Sequence, residues 1–363
     1  MADTSTSRKS RALRVNAFDA PTAIDLFAGA GGLTQGLRSA GYHVVAAVEK
    51  DELAARTFRL NHAGVKVWNC DIRAITGPKL LRAHGIARGS LDLLAACPPC
   101  QGFSSMRTRN GSRSSFDVQN ELILDVLRLV RSIRPVSVML ENVPALAQDR
   151  RFTHFVDSLR SAGYCTTYAV LNTANYGVPQ SRRRLILLAS RAIQPQFAKP
   201  SRTSVTVRQA IGHLSNNKDS RDPLHRIVGK HSARIAELIR NIPRNGGSRT
   251  DLEPSFQLPC HERSDGFFDV YGRMAWNSVS PTVTGGCINP SKGRFLHPSK
   301  NRAITLREAA LLQSFPARYR FSLEGGRYAA ALMIGNALPP QFVARHARRM
   351  RALHEEYWYS KLL

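Results

Sequence analysis

The sequence predicts an α/β protein built on a doubly wound parallel sheet, with a second, smaller and irregular segment attached. Three observations predict it. Between 21 and about 190, short apolar runs alternate with amphipathic helical patterns; the first run ends in a glycine-rich turn; and from 191 to 301 the alternation stops. At 363 residues the chain is longer than one ordinary domain and can bury a core without staples.

In chain order, TAIDLF (22–27) is apolar on both faces, as a strand covered from both sides must be, and LTQGLRSAG (33–41) follows as a helix. HVVAAVE (43–49) and VKVWNC (65–70) are the next strands, separated by the helix ELAARTFRLNH (52–62). LDLLAAC (91–97), VSVMLENV (136–143) and RLILLAS (184–190) complete the predicted sheet. Between them stand the helices NELILDVLRLVRSI (120–133) and FTHFVDSLRSAG (152–163). Residues 191–301 are rich in Pro, Gly, Asn, Ser and Arg and read as a smaller basic domain. Helical periodicity returns in TLREAALLQSF (305–315) and PPQFVARHARRMRALHEEYW (339–358), so 302–363 reads as a return to the first domain. Residues 1–19, Ser/Thr-rich and basic, read as a solvated tail.

Lys and Arg number 52 against 26 Asp and Glu, a formal charge of +26, while 43% hydrophobic residues exclude a disordered polycation. A surplus of that size calls for a polyanionic partner, because each cation set on a phosphate releases a condensed counterion. Nucleic acid is the expected partner rather than a membrane: no apolar run approaches the roughly 18 residues of a spanning helix, and no signal peptide opens the chain. Six cysteines, at 70, 97, 100, 165, 260 and 287, form no disulfide framework, which suits a reducing, cytoplasmic setting.

Four segments carry candidate chemistry. DLFAGAGGL (25–33) joins a strand to a helix, where glycines let the backbone turn tightly and meet a ligand. It is a nucleoside pocket or a plain turn. Thr34 occupies the place of the third glycine of a dinucleotide fingerprint, so pyrophosphate is not expected. Glu49, about 20 residues on, can accept from ribose hydroxyls, and Asp71 ends the third strand on the same crevice. S-adenosylmethionine is the commonest cofactor of that shape. In CPPCQGFSS (97–105) the two cysteines are a redox pair, half a zinc site or a nucleophile with its neighbour; no second pair with ligand spacing accompanies them, so no metal is expected. Cys100 is the preferred nucleophile, since Arg107, Arg109 and Arg113 favour its thiolate, whereas Cys97 reads as a small buried hydrophobe. Glu141, closing VSVMLENV, lies on the rim of Cys100 if all strands run one way, and is a candidate acid. In QSRRR (180–184), Arg182 and Arg184 share a face when extended and can bind carboxylate or phosphate.

In this order the segments resemble the DNA (cytosine-5) methyltransferases of bacterial modification systems. RAITLREAALLQSFP (302–316) and GNALPP (335–340) are similar to that family's ninth and tenth motifs. The resemblance implies a Rossmann-like S-adenosylmethionine-dependent methyltransferase sheet with 191–301 as an irregular target-recognition domain, and double-stranded DNA as substrate. It implies that Cys100 adds to carbon 6 of a flipped cytosine, that Glu141 serves ring nitrogen 3, that Arg184 holds the ring carbonyl, and that Arg182 contacts the carboxylate or the catalytic loop, about 101–116. Phe27, Gly29 and Gly31 are implied around the methionine end of the cofactor, Glu49 at the ribose, and Asp71 with Ile72 at the adenine. Pro99, Leu122, Asn336 and Leu338 are implied to complete that pocket. The resemblance admits a companion restriction endonuclease and a monomer acting alone. An RNA cytosine-5 methyltransferase and a catalytically inactive DNA-binding homologue are the alternatives, and about 110 residues between the eighth and ninth motifs weigh against the first.

Overall fold

The structure, a computed structural model, describes residues 20–99, 121–256, 258 and 269–359. Seven strands form one sheet: β1 (Thr22–Leu26), β2 (His43–Val48), β3 (Lys66–Trp68), β4 (Leu93–Ala96), β5 (Ser137–Asn142), β6 (Cys165–Asn172) and β7 (Arg183–Ser190). Their order is β3-β2-β1-β4-β5-β7-β6. Helices α1 (Gly32–Ser39), α2 (Glu52–Asn61), α3 (Gly77–Arg82), α4 (Leu122–Ile133) and α5 (Arg150–Ser161) alternate with the strands. The α/β class and the glycine turn stand as the sequence predicts.

Two features of the sheet differ from that prediction. It is mixed, because β7 lies antiparallel between β5 and β6. Only residues 173–182 join β6 to β7, too few for the crossover helix that a parallel pair requires. β6 itself is absent from the predicted strands: it is an edge strand, and its CTTYAVLN lacks the continuous apolar run of a strand buried on both faces. The reversal matters for the site. β4 and β5 are parallel and end at one rim, and antiparallel β7 begins there, so the start of β7 meets the end of β5.

A second core is built from α6 (Val207–Ile211), α7 (Pro223–Arg226), α9 (Leu306–Leu312) and α10 (Gly326–Asn336) around Met274, Val283 and Phe295. A smaller cluster gathers α8 (Ala233–Asn241) with Tyr271 and Leu296. Helix α11 (Pro340–Tyr359) then returns to the sheet and packs on α1. Gly36 permits that approach, since a Cβ there would lie 2.4 Å from Cβ of Val343.

With few strands between 191 and 301, arginines organise the backbone. Arg273 is fully buried. Its Nε donates to the Ile242 carbonyl, one terminal nitrogen to those of His297 and Lys300, and the other to the Ile239 carbonyl and the Asn301 amide oxygen. Two of those carbonyls end α8, where a cation is favoured by the helix dipole. Replacing Arg273 with Met orphans all of them, and Arg273→Met is expected to lower unfolding free energy by roughly 3–5 kcal/mol, as removal of one side of a buried charged network does. Urea denaturation checks this; a change under about 1 kcal/mol contradicts it.

Burial also fixes the acid response. His62, His297 and His346 are each pushed down to about 4, in every case chiefly by burial. Unfolding frees them to bind protons at about 6.5, so their stabilisation is whole above that pH and is lost as pH falls toward 4. Asp25, buried and raised to about 7, acts oppositely: its contribution is whole at low pH and disappears as pH rises toward 7. Three groups outweigh one. The denaturation midpoint is therefore expected to fall between pH 6.5 and 4; a flat or rising midpoint over that window contradicts the assignment.

Candidate active site

The glycine turn begins where β1 stops. Phe27 (φ 60°) and Gly29 (φ 54°) take left-handed backbone, strained for the phenylalanine, and Gly31 (φ 94°) begins α1 without a side-chain cap. Gly29 and Gly31 are glycines for different reasons. A Cβ on Gly29 would meet nothing within 4 Å, whereas one on Gly31 would strike His62 and Tyr319 at 2.5 and 2.6 Å. Gly29 thus borders open space and Gly31 a packed wall. The Tyr319 hydroxyl donates to the Ala30 carbonyl at 2.6 Å, so its 2.8 Å contact with His62 Nε2 requires the proton on that nitrogen. Beneath the turn, Thr34 Oγ1 donates to Asp25 Oδ2 at 2.6 Å; the hydroxyl at the third-glycine position has a structural partner.

Glu49 follows β2 and accepts from the Gly29 amide at 2.7 Å through one oxygen and from the Asp51 amide at 2.7 Å through the other. Burial raises its pKa. Asp71, after β3, is held by Arg73 at 2.7 Å and Lys50 at 3.0 Å; the Arg73 hydrogen bonds keep its carboxyl well below the usual range. Phe27, Gly29, Glu49 and Asp71 therefore gather at the carboxyl ends of three neighbouring parallel strands. Ile72 is buried in the core on the α4 side, and Leu338 is buried between α1 and α11. Leu122 is half-buried at the first turn of α4, while Pro99 and Asn336 are exposed. Open space over Gly29, an uncapped helix start and carboxylates at adjacent strand ends suit a nucleoside with a charged tail, so the residues present fit S-adenosylmethionine.

On the neighbouring strands, the register pairs Ala96 with Leu140, and Cys97 and Glu141 follow on the face shared with α1 and α11. Burial, then the Glu141 charge, pushes the Cys97 thiol well above its ordinary range. Arg184 Nε meets Glu141 Oε1 at 2.9 Å, both side chains largely enclosed. Arg182 is buried behind them: one terminal nitrogen donates to the carbonyls of Val283 and Gly335, at 3.1 and 3.0 Å, while its Nε has no hydrogen-bond partner among the described residues. Burial, then Arg184, lowers its pKa to about 9, still charged at neutral pH. The geometry brings Glu141 and Arg184 into contact and turns Arg182 toward the second core. Cys100 and the loop of residues 101–116 lie outside the described residues.

Asn142 was not singled out by its sequence. Its side chain donates to the Pro98 carbonyl at 3.0 Å, tying the strand end that bears Glu141 to the turn that leads to Cys100. Its place inside ENV is the only local signal. His62 and Tyr319 have none, since their partners lie in distant segments.

Comparison with known proteins gives this arrangement a family. The Type II methylase M.HgiDII of Herpetosiphon aurantiacus is 33% identical over 350 residues, covering 92% of this chain and 96% of its own. The Type II methyltransferase M.XorII of Xanthomonas oryzae pv. oryzae is also 33% identical, covering 88% and 82%. The solved methyltransferase EhMeth of Entamoeba histolytica shares the fold with a TM-score of 0.61 at 14% identity, over 95% of this chain and 99% of that one. Residues 22–352 match the family described as C-5 cytosine-specific DNA methylase, and the chain belongs to it: an enzyme that moves a methyl group from S-adenosylmethionine to carbon 5 of cytosine in DNA.

Proposed function

We propose that the chain modifies one cytosine within a short recognition sequence of duplex DNA, with the base flipped out of the helix and bonded transiently to Cys100. A stacked cytosine hides both ring faces, and extrusion costs a few kcal/mol that phosphate and pocket contacts offset. Cys100 Sγ bonds to ring carbon 6, and the displaced electron pair gathers at nitrogen 3, where Glu141 supplies a proton or hydrogen bond. Arg184 steadies the ring carbonyl while holding Glu141, and Arg182 is a positioning cation behind the pair. The enamine so formed makes carbon 5 nucleophilic. S-adenosylmethionine, when bound, supplies an electrophilic methyl group. Once carbon 5 carries the methyl, its proton leaves to a base and the thiolate departs. Phe27, Gly29, Gly31, Glu49, Asp71, Ile72, Pro99, Leu122, Asn336 and Leu338 are the proposed cofactor contacts, Ile72 and Leu338 from packed positions.

The observation that carries this reading is the Glu141–Arg184 pair at 2.9 Å beside the Asn142–Pro98 hydrogen bond, because an acid there stands at the neck of the segment bearing Cys100. In this reading 20–190 and 302–363 carry the chemistry, 191–301 select the target, and 1–19 are a basic tail. A monomer suffices for one flipped base. We also place the protein in the cytoplasm, on DNA, beside a companion endonuclease that cuts the same sequence when unmethylated; among the described residues no helix is long and apolar enough to cross a membrane. The test is incubation of the full chain with plasmid and S-adenosylmethionine, followed by sequencing sensitive to 5-methylcytosine. Methylation confined to one short sequence context is expected; no modified cytosine anywhere overturns the proposal.

A further inference from the structure

A groove of about 400 Å³ lies between the last turn of α1, the end of α2 and residues 316–320. Arg38, Arg318 and Arg320 line it, and all three are exposed. Among the described residues none of these guanidiniums is ion-paired with a carboxylate. Glu324, the nearest acid to Arg320 along the chain, is bound to Arg56, which also shares Glu52 with Arg59.

The walls are fixed. The Asn61 amide donates to the Arg320 carbonyl at 2.8 Å and its oxygen accepts from the Arg320 amide at 2.8 Å, clamping the loop to α2. Between the two loop arginines Tyr319 is buried, its hydroxyl bonded to Ala30. With the proton of His62 on Nε2, its Nδ1 is free to accept from Arg38, whose terminal nitrogen lies 3.4 Å away. Hydrogen bonds therefore run in one direction from Arg38 through His62 and Tyr319 to the glycine turn. Three like charges held on a rigid frame repel one another, and an oxyanion bridging them relieves that repulsion while meeting the planar forks of arginine.

We infer that this groove binds a phosphate group, apart from the cleft where cytosine is methylated. α1 is eight residues long, about 12 Å, and Arg38 sits at the end of it away from the glycine turn. Two sources of phosphate can reach it: the backbone of duplex flanking the target, or a free phosphate compound. The inference goes beyond the proposed function, and its first test requires no methylation.

That test is thermal unfolding of the full chain with inorganic pyrophosphate, beside Arg38→Gln/Arg318→Gln/Arg320→Gln and the single Arg318→Gln. Arg318 makes no side-chain hydrogen bond or ion pair among the described residues, so the single variant keeps the fold. A saturable rise in melting temperature is expected for the parent, about tenfold weaker apparent affinity for Arg318→Gln, and no saturable rise for the triple variant. A rise undiminished in the triple variant is general screening of the +26 charge and overturns the inference. In a second arm, DNA affinity is measured against salt on a short duplex covering only the target and on a long one. If flanking DNA fills the groove, the triple variant loses about two to three units of log–log salt slope on the long duplex alone. An unchanged slope with a saturable pyrophosphate response assigns the site to free phosphate. Neither response, or equal weakening on both duplexes without a pyrophosphate response, overturns it.

Discussion

Cys100→Ser is expected to reduce methyl transfer by roughly 10⁴-fold or more while DNA is still bound, because a serine hydroxyl is far less ionised than a thiol at neutral pH. The loss falls on kcat, since the sulfur contributes to bond making rather than to ground-state affinity. Single-turnover incorporation of labelled methyl groups measures it. A duplex carrying 5-fluorocytosine at the target adds an independent readout: fluorine cannot leave as a cation, so the parent protein stays joined to the oligonucleotide on a denaturing gel and the serine variant does not. Transfer within tenfold of the parent, or an adduct mapped to another residue, removes covalent catalysis by Cys100 from the account.

Glu141→Gln is the second large effect. The amide keeps the shape and can still donate a hydrogen bond, but it cannot deliver a proton as charge develops on the ring, so kcat is expected to fall about 10²- to 10³-fold with a much smaller change in KM for DNA. Stability should fall as well, because Arg184 loses its 2.9 Å partner while buried Arg182 stands beside it. Arg184→Met separates the two effects. It removes the partner but leaves the acid, so it should share the drop in melting temperature and keep more activity than Glu141→Gln. Because Arg184 also holds the ring carbonyl, its own variant is expected to lose some activity; a kcat for Glu141→Gln within about threefold of the parent removes the acid from the account.

The sequence disclosed those features that depend on neighbours along the chain. Short apolar runs and 3.6-residue periodicity disclosed β1 to β5 and helices α1, α2, α4 and α5, though not the six-residue α3, and glycines after TAIDLF disclosed the turn that begins at Phe27. The direction of β7 was not legible, because RLILLAS reads alike either way; only the short link from β6 decides it. β6 was missed because one side of an edge strand tolerates polar residues. Within the site, Glu141 and Arg184 were legible as residue types at strand ends, but their contact was not, since it exists only because β7 reverses. Arg182 is implied by the resemblance to contact the carboxylate or the catalytic loop; its hydrogen bonds to two carbonyls from distant segments are not legible in the sequence. In the sequence Arg273 is one of many arginines of a basic segment, with nothing local to mark it. Its burial follows from five acceptors that no short window of sequence contains.

The seam between α1 and α11 has a consequence for how the protein comes into being. Tyr42 and Ala347, bonded across it, are 305 residues apart, so on the ribosome the first helix is made and must wait while nearly the whole polypeptide emerges before its cover arrives. At ordinary elongation speeds of about 5–20 residues per second that interval is some 15–60 seconds. During it Leu33, Leu37 and Val44 lack the cover of Phe342, Val343 and Ala347 and are a target for chaperones. Nascent chains halted before residue 340 should therefore be protease-sensitive around 32–44, and the capacity to modify DNA should appear abruptly, only once the seam has closed.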